Sequence, residues 1–302
     1  MMFLSLAAFM ISLALGQSET SFSPLSSDLS ALPPVTLIDL GPPSCPDGKY
    51  IGSSTKAKWT VEGASFDSST NVTIGILSSP PDFVIPLVRT DGSLYFQYNE
   101  SVAFSESVPD EAGVIIKVPY DSLSKITVSM GESANIKGLT SLSELECFSA
   151  SSCVAILTDL KDPIILDAEK GSVLTVVASN TTEITVEISG GSTINVVGNV
   201  AGGTVKTASE LVVQGSVVGV EATAASTVTA ANCDGITTDW TMGSCTVNDD
   251  IQVDASMADV MMLSDTSVCV YDSGASERVW GGIFSTVLIS VVSVFALIAA
   301  EV

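Results

Sequence analysis

Histidine is absent from all 302 residues. That removes Ser-His-Asp and Cys-His nucleophile systems and the commonest metal ligand together. Basic residues are scarce as well: 11 Lys and Arg stand against 34 Asp and Glu, for a formal net charge of −23. After Lys206 none appears until Arg278. A nucleic-acid partner requires a basic footprint, so no nucleic-acid role is expected. An acidic exterior serves solubility, self-repulsion, basic partners and divalent cations instead. Aromatics make up only 6% of the chain, and Trp59, Trp240 and Trp280 give no regularly spaced platform for sugar stacking. No CxxC pair, Walker loop or zinc-type helix motif is present, and no cofactor is expected.

What is present starts at the two ends. Met1 to Gly16 is an uncharged apolar run closing on Ala14-Leu15-Gly16, the pattern of a secretory signal peptide over residues 1–16. Ile283 to Ala300 is a second apolar run, preceded by a polar spacer and the small trio Ser273-Gly274-Ala275. Small residues, spacer and greasy tail form the signal for a glycosylphosphatidylinositol anchor, with Asp272, Ser273 or Gly274 as the acceptor. The rival reading is a single spanning helix over 277–302, as in a type I membrane protein. Only Glu301 and Val302 follow it, without the cytoplasmic Lys or Arg of a stop-transfer segment. Hydrophobic helices are therefore expected at both termini, around a body that faces outward from a membrane.

The rest of the chain agrees with a secretory route. Sequons at Asn71, Asn99 and Asn180 accept N-glycans in a secretory lumen. Six cysteines suit an oxidising compartment and allow fifteen pairings. Proximity joins Cys147 with Cys153 and Cys233 with Cys245, leaving Cys45 and Cys269 to link the flanks; buried free thiols are the competing reading.

The middle reads as short strands. In "SKITVSM" the apolar set is Ile126, Val128 and Met130, and in "TEITVEIS" it is Ile184, Val186 and Ile188; β-branched residues at period two make half-buried strands. Taking one inward residue per segment gives Ile126, Leu145, Ile164, Ile184, Val205 and Ala222, at steps of 19, 19, 20, 21 and 17. A period near twenty, with Gly, Ser and Asn at the breaks, predicts an all-β chain wound as a β-solenoid, right-handed β-helix-like. Its aliphatic ladders would run through a narrow interior. A β-sandwich is the alternative, but Asp-Gly hairpin signals are few. The segments "NVTIGIL", "DFVIPLV", "SLYFQYN" and "GVIIKVPY" read as four further strands. The expected organisation is a signal peptide at 1–16, a flexible Ser/Pro-rich lead-in at 17–57, the solenoid at 58–236, an acidic stalk at 237–276 and the terminal signal at 277–302.

From Asn71 to Gly138 the order "NVTIGIL…DGSLYFQYN…GVIIKVPYDSLSKITVSMGESANIKG", continued by "ISGGSTINVVG", resembles the auto-transporter adhesin head GIN domain. The resemblance covers about Lys58 to Gly235. Met130 before the Gly131 turn and the cysteines depart from that family's pattern. It implies a β-solenoid on a secreted or surface-displayed protein, adhesion as the role, and no catalytic residues to carry over.

Carboxylates supply the remaining candidate chemistry. Asp159, Asp162 and Asp167 fall near one coil junction, and a solvated face is the expectation for them. Asn248, Asp249, Asp250 and Asp254 lack the glycine and terminal glutamate of an EF-hand loop. The reading is an adhesin-like or structural surface protein, routed through the secretory pathway to the outer leaflet of the plasma membrane. Its partners would be surface or matrix components, glycans among them, the membrane through the C-terminal anchor, and laterally other copies of itself. The alternatives are a surface polysaccharide-processing enzyme and a divalent-cation-binding receptor module.

Overall fold

The computed structural model describes residues 23–24, 34–41, 56–66, 74–79, 82–89, 91–99, 111–179, 181–239, 242–248 and 250–255. The terminal apolar runs, Asn71, Asn180, Cys45, Cys269, Asp272, Ser273 and Gly274 lie outside them.

The chain is a β-solenoid of about six turns, without a helix among the described residues. Each coil contributes one strand to each of two sheets, of 11 and 10 strands. In the first sheet Ser133–Lys137, Ser152–Leu157, Val173–Ala178, Thr193–Val197, Glu210–Gln214, Thr227–Ala230 and Ser244–Val247 stack in parallel. In the second, Lys125–Val128, Glu144–Phe148, Ile164–Glu169, Ile184–Ile188, Val200–Val205, Val220–Ala222 and Ile236–Thr238 do the same. In-register parallel pairing between successive coils rules out the sandwich. Inward ladders of aliphatic residues fill the space between the sheets. One runs Ala134, Cys153, Leu174, Ile194, Leu211, Val228 and Cys245, at steps of 19, 21, 20, 17, 17 and 17 residues. The last coils are thus shorter than the expected period. The shortening coincides with a register shift opposite Ile184 and Thr185. There Gly203 occupies an inward position where a Cβ would meet the Val186 carbonyl oxygen.

The corner leading from the second sheet into the first is built alike in six coils. A left-handed pair comes first: Met130–Gly131, Ser149–Ala150, Lys170–Gly171, Gly190–Gly191, Thr207–Ala208 and Ala224–Ala225, with φ from +53° to +81°. The next residue is buried: Glu132, then Ser151, Ser172, Ser192, Ser209 and Ser226. These serines join coil to coil. The Ser192 hydroxyl accepts from the amides of Gly171 (3.1 Å) and Ser172 (3.2 Å), and the Ser209 hydroxyl accepts from Gly191 (3.2 Å) and Ser192 (3.3 Å). Ser151 and Ser172 donate back to the carbonyls of Phe148 and Glu169, both at 2.8 Å. The Gly171 and Gly191 amides also donate to the carbonyls of Gly190 and Thr207 in the next coil, both at 3.0 Å, so the hydroxyl is a second acceptor for them and the acceptor for the serine amide that follows; a small hydroxyl is the side chain that reaches these groups inside a narrow coil.

Both predicted disulfides within the described residues are present. Cys147–Cys153 links the two sheets across one corner, both residues buried. Cys233–Cys245, with Cα atoms 6.0 Å apart, ties the loop ahead of Ile236–Thr238 to the last strand of the first sheet.

The beginning of the stack departs from chain order. Leu37–Leu40 pairs in parallel with both Lys125–Val128 and Ser93–Tyr98, and Lys56–Ala64 pairs with both Ser133–Lys137 and Glu111–Pro119. The first coil is therefore inserted between the second and the third. Antiparallel strands, Val84–Val88 on Ser93–Tyr98 and Gly75–Ser79 on Glu111–Pro119, cover the outer tier. Trp59 anchors the inserted coil: it is fully buried, its ring centroid 4.7 Å from that of Phe96, and its indole N–H donates to Glu132 at 2.9 Å. The expected boundaries shift accordingly. Leu37–Leu40, with Ile38 and Leu40 wholly buried, belongs to the stack rather than to a flexible lead-in, because its alternating apolar residues complete the interior of the inserted coil. Ser244–Val247 likewise extends the stack into the stretch expected to be stalk.

Candidate functional site

Strand alternation gives each sheet an outward face, and the two faces differ in charge. On the second sheet one outward ladder runs Asp39, Thr127, Glu146, Asp167, Glu187, Thr204, Glu221 and Thr237. Glu146, Asp167 and Glu187 occupy three successive rungs, which parallel pairing sets about 4.8 Å apart. Glu144 and Glu169 flank them on their own strands.

Environment separates these carboxyls. Burial pushes the Glu146 pKa up, but the Lys125 ammonium at 2.6 Å and the Thr127 hydroxyl at 2.9 Å outweigh it and hold the group below the usual range. Lys125 also reaches Glu144 at 3.2 Å. Asp167 lies one rung further on, and the carboxyl is pushed up to about 6, by burial first and then by the charges of Glu169, Glu146, Glu187 and Glu144. Among the described residues no Lys or Arg forms a salt bridge with Asp167, Glu169 or Glu187. Asp39, half-buried at the other end of the ladder, is also raised by burial, which outweighs the opposing charge of Arg89.

The outward face of the first sheet is different. From Ser152 to Thr229 its rungs carry Val154, Ile156, Val173, Thr175, Val177, Thr193, Asn195, Val197, Val212, Gln214, Thr227 and Thr229, with Glu210 as the one charged group. Ile156 is 46% and Val173 39% exposed. Basic residues gather at the other end of this face. Lys117 and Lys137 meet Glu62 at 3.5 and 3.0 Å, and Lys58 stands exposed beside the Ser133 rung.

The sequence-derived candidates distribute as follows. Asp159 and Asp162 are exposed in a loop, whereas Asp167 sits within a strand on the ladder; the carboxylates that bear on it are Glu169 of its own strand first, then Glu146, Glu187 and Glu144 of the neighbouring rungs. The expected solvated face does not describe Asp167, which is partly desolvated. Asn248, Asp250 and Asp254 are exposed; Asp249 and Trp240 fall outside the described residues. Asn99 follows Ser93–Tyr98, and its amide donates to the Phe83 carbonyl at 3.0 Å. The ladder itself was findable: Glu146, Asp167 and Glu187 are 21 and 20 residues apart, following the coil period. Among the described residues no three His, Cys, Asp or Glu are arranged to hold a metal ion, and no helix is long and apolar enough to cross a membrane. No known family, curated protein or solved structure matches the chain.

Proposed function

We propose that the chain is an extracellular, membrane-tethered structural or adhesin-like protein whose body is the β-solenoid. The observation that carries this reading is the pattern of its outward chemistry: two long, regularly runged faces, one rich in carboxylates and one almost uncharged over five rungs. Surfaces of this kind bind by many weak contacts that sum when copies are displayed together. The terminal signals, the sequons, the disulfides and the resemblance to the GIN domain support display on the outer leaflet through a lipid anchor, with a single-pass helix as the alternative. Matrix components and glycans are the partner classes. Treating intact expressing cells with phosphatidylinositol-specific phospholipase C should release the protein, and released protein should no longer support cell attachment to matrix-coated surfaces. Retention on the cell would overturn the lipid anchor; unchanged attachment without the protein would overturn the adhesive role.

One observation favours a second reading, a polysaccharide-processing enzyme. Glu146 and Asp167 occupy adjacent rungs with their acidities moved in opposite directions, the relation that glycoside hydrolysis needs between nucleophile and general acid. Reducing-sugar release from surface glycans that disappears in both Glu146→Gln and Asp167→Asn would promote this reading over the first.

A further inference from the structure

We infer that two copies of this protein pair through the outward faces of their first sheets, with the two stacks running in opposite directions. One outward column on that sheet runs Lys58, Ser133, Ser152, Val173, Thr193 and Glu210 on six successive rungs. Its charged groups stand at the two ends and have opposite signs. A two-fold axis lying along the strands, midway between Ser152 and Val173, turns the column end for end. Lys58 then meets the partner's Glu210, and Glu210 meets the partner's Lys58. The two neighbouring columns obey the same symmetry: Asn135 comes opposite the partner's Asn195, and Ile156 opposite the partner's Val177. Charged and polar ends around an apolar middle are thus self-complementary, which is the condition for an isologous contact.

Charge and area select a second copy as the occupant. Over these six rungs the three outward columns carry Lys58, Lys137, Glu62 and Glu210, a balance of zero on a chain of formal net −23. Pairing here leaves both carboxylate ladders on the far sides of the two stacks, and at physiological salt charges beyond about 8 Å are screened. Glu62 is already held by Lys117 and Lys137. Lys58 and Glu210 are exposed and, among the described residues, in no salt bridge, so each has a charge to offer. Sheets packed face to face stand about 10 Å apart, a gap that a lysine and a glutamate side chain close between them. Ile156 and Val173, exposed on a single copy, become covered at the centre.

Six rungs at about 4.8 Å, each with about 17 Å of strand, bury on the order of 1,000 Å² in total, the lower bound for a specific interface. The pair is therefore weak alone and gains from display in many copies. Opposed stacks send the two chain ends that follow Ser244–Val247 in opposite directions. For copies tethered by their C-termini, the reading proposed above on which this step rests, the contact joins copies on two facing surfaces rather than neighbours on one. The contact itself is tested without any anchor.

The test is zero-length coupling of the purified full chain, in mild detergent, with a carbodiimide, which joins an amine to a carboxylate only in contact. The expected product is a dimer whose cross-linked peptide joins Lys58 to Glu210. Within one copy these residues stand five rungs apart, about 24 Å, so the link is intermolecular. Lys58→Glu alone, or Glu210→Lys alone, sets like charges opposite each other and should weaken pairing at least about tenfold, read by sedimentation. The double variant should restore it, and so should a mixture of the two single variants, as a heterodimer. Recovery separates lost contact from lost folding. Non-adherent cells displaying Lys58→Glu, and others displaying Glu210→Lys, should each stay dispersed and should aggregate when mixed. Heterodimers that form in solution while the mixed cells stay dispersed would overturn the facing arrangement. A monomeric unaltered chain, links mapping elsewhere, or single variants that pair like the wild type would overturn the contact, while leaving the phospholipase result untouched.

Discussion

Replacing Asp167 by asparagine should stabilise the protein at neutral pH and leave it nearly unchanged at pH 4. The Asp167 carboxyl is pushed up to about 6 in the folded chain, against an ordinary value of 3.8. A folded pKa raised above the unfolded one means that the native state holds the proton more tightly. Its stabilising contribution is complete below pH 3.8 and is lost as pH rises through about 6. A shift of about two units corresponds at 1.36 kcal/mol each to about 3 kcal/mol. Because the side chain is partly exposed, solvent screening reduces this to about 1 kcal/mol. Asparagine keeps the shape of the protonated acid and carries no charge, so at pH 7.5 the variant regains what the wild type has lost. Urea unfolding at pH 4 and 7.5 measures it, and the companion change in Tm should be about 2–4 °C at the higher pH. The window belongs mainly to this ladder. Asp39 moves in the same sense, whereas Glu146 and Glu62 are held low, so their contributions are lost only as pH falls below the usual glutamate range. Glu187→Gln should move the transition of Asp167 to lower pH by removing one of its neighbours. A variant equally stable with wild type at both pH values, or destabilised at pH 7.5, would refute the account of crowded carboxyls.

Two further predictions concern the corners. Ser192→Ala removes the hydroxyl that accepts from the Ser172 amide and shares the Gly171 amide with the Gly190 carbonyl, in a buried site, and should cost about 1–2 kcal/mol in urea unfolding; a loss under about 0.5 kcal/mol would mean the serine ladder is not a structural joint. Thr207→Gly relieves a β-branched residue held at φ +59° and should stabilise by about 1 kcal/mol in the same assay; a destabilised variant would show that the threonine contributes something beyond its turn.

Much of this architecture was legible in the sequence. Ile126, Leu145, Ile164, Ile184, Val205 and Ala222, chosen as inward residues, are all buried. They lie on three ladders rather than one, however: Ile126 pairs with Leu145, Ile164 with Ile184, and Val205 with Ala222. A strand of five residues offers inward positions two apart, and period alone does not choose between them. The second strand of each coil was hidden for a related reason, since a tight corner leaves no long polar break between Phe148 and Ser152. Corner signals were visible at Gly190–Gly191 but not at Thr207–Ala208 or Ala224–Ala225, where stacking against the next coil imposes a left-handed backbone on residues that do not ask for it. The inserted first coil had no local sign, because Leu37–Leu40 finds its partners 56 and 88 positions away. The carboxylate ladder follows directly from the period once outward positions are read, but the displaced acidity of Asp167 depends on how closely its rung is crowded.

The inserted coil changes how the stack comes apart. A simple array of repeats can fray from either terminus, one unit at a time. Here the polypeptide is interleaved at its beginning: peeling away the tier formed by Ser93–Tyr98 and Glu111–Pro119 frees an edge of the first coil, yet that coil stays clamped against Lys125–Val128 and Ser133–Lys137. Once the short pairing of Ser23–Pro24 with Gly75 and Ile76 at the sheet edge gives way, tension from the N-terminal side is thus delivered one storey inside the end of the building, to strands hydrogen-bonded on both sides. A nascent chain, for its part, must hold Leu37–Leu40 unpaired until Ser93 and Leu94 have been made, and half-paired until Lys125–Val128 follow.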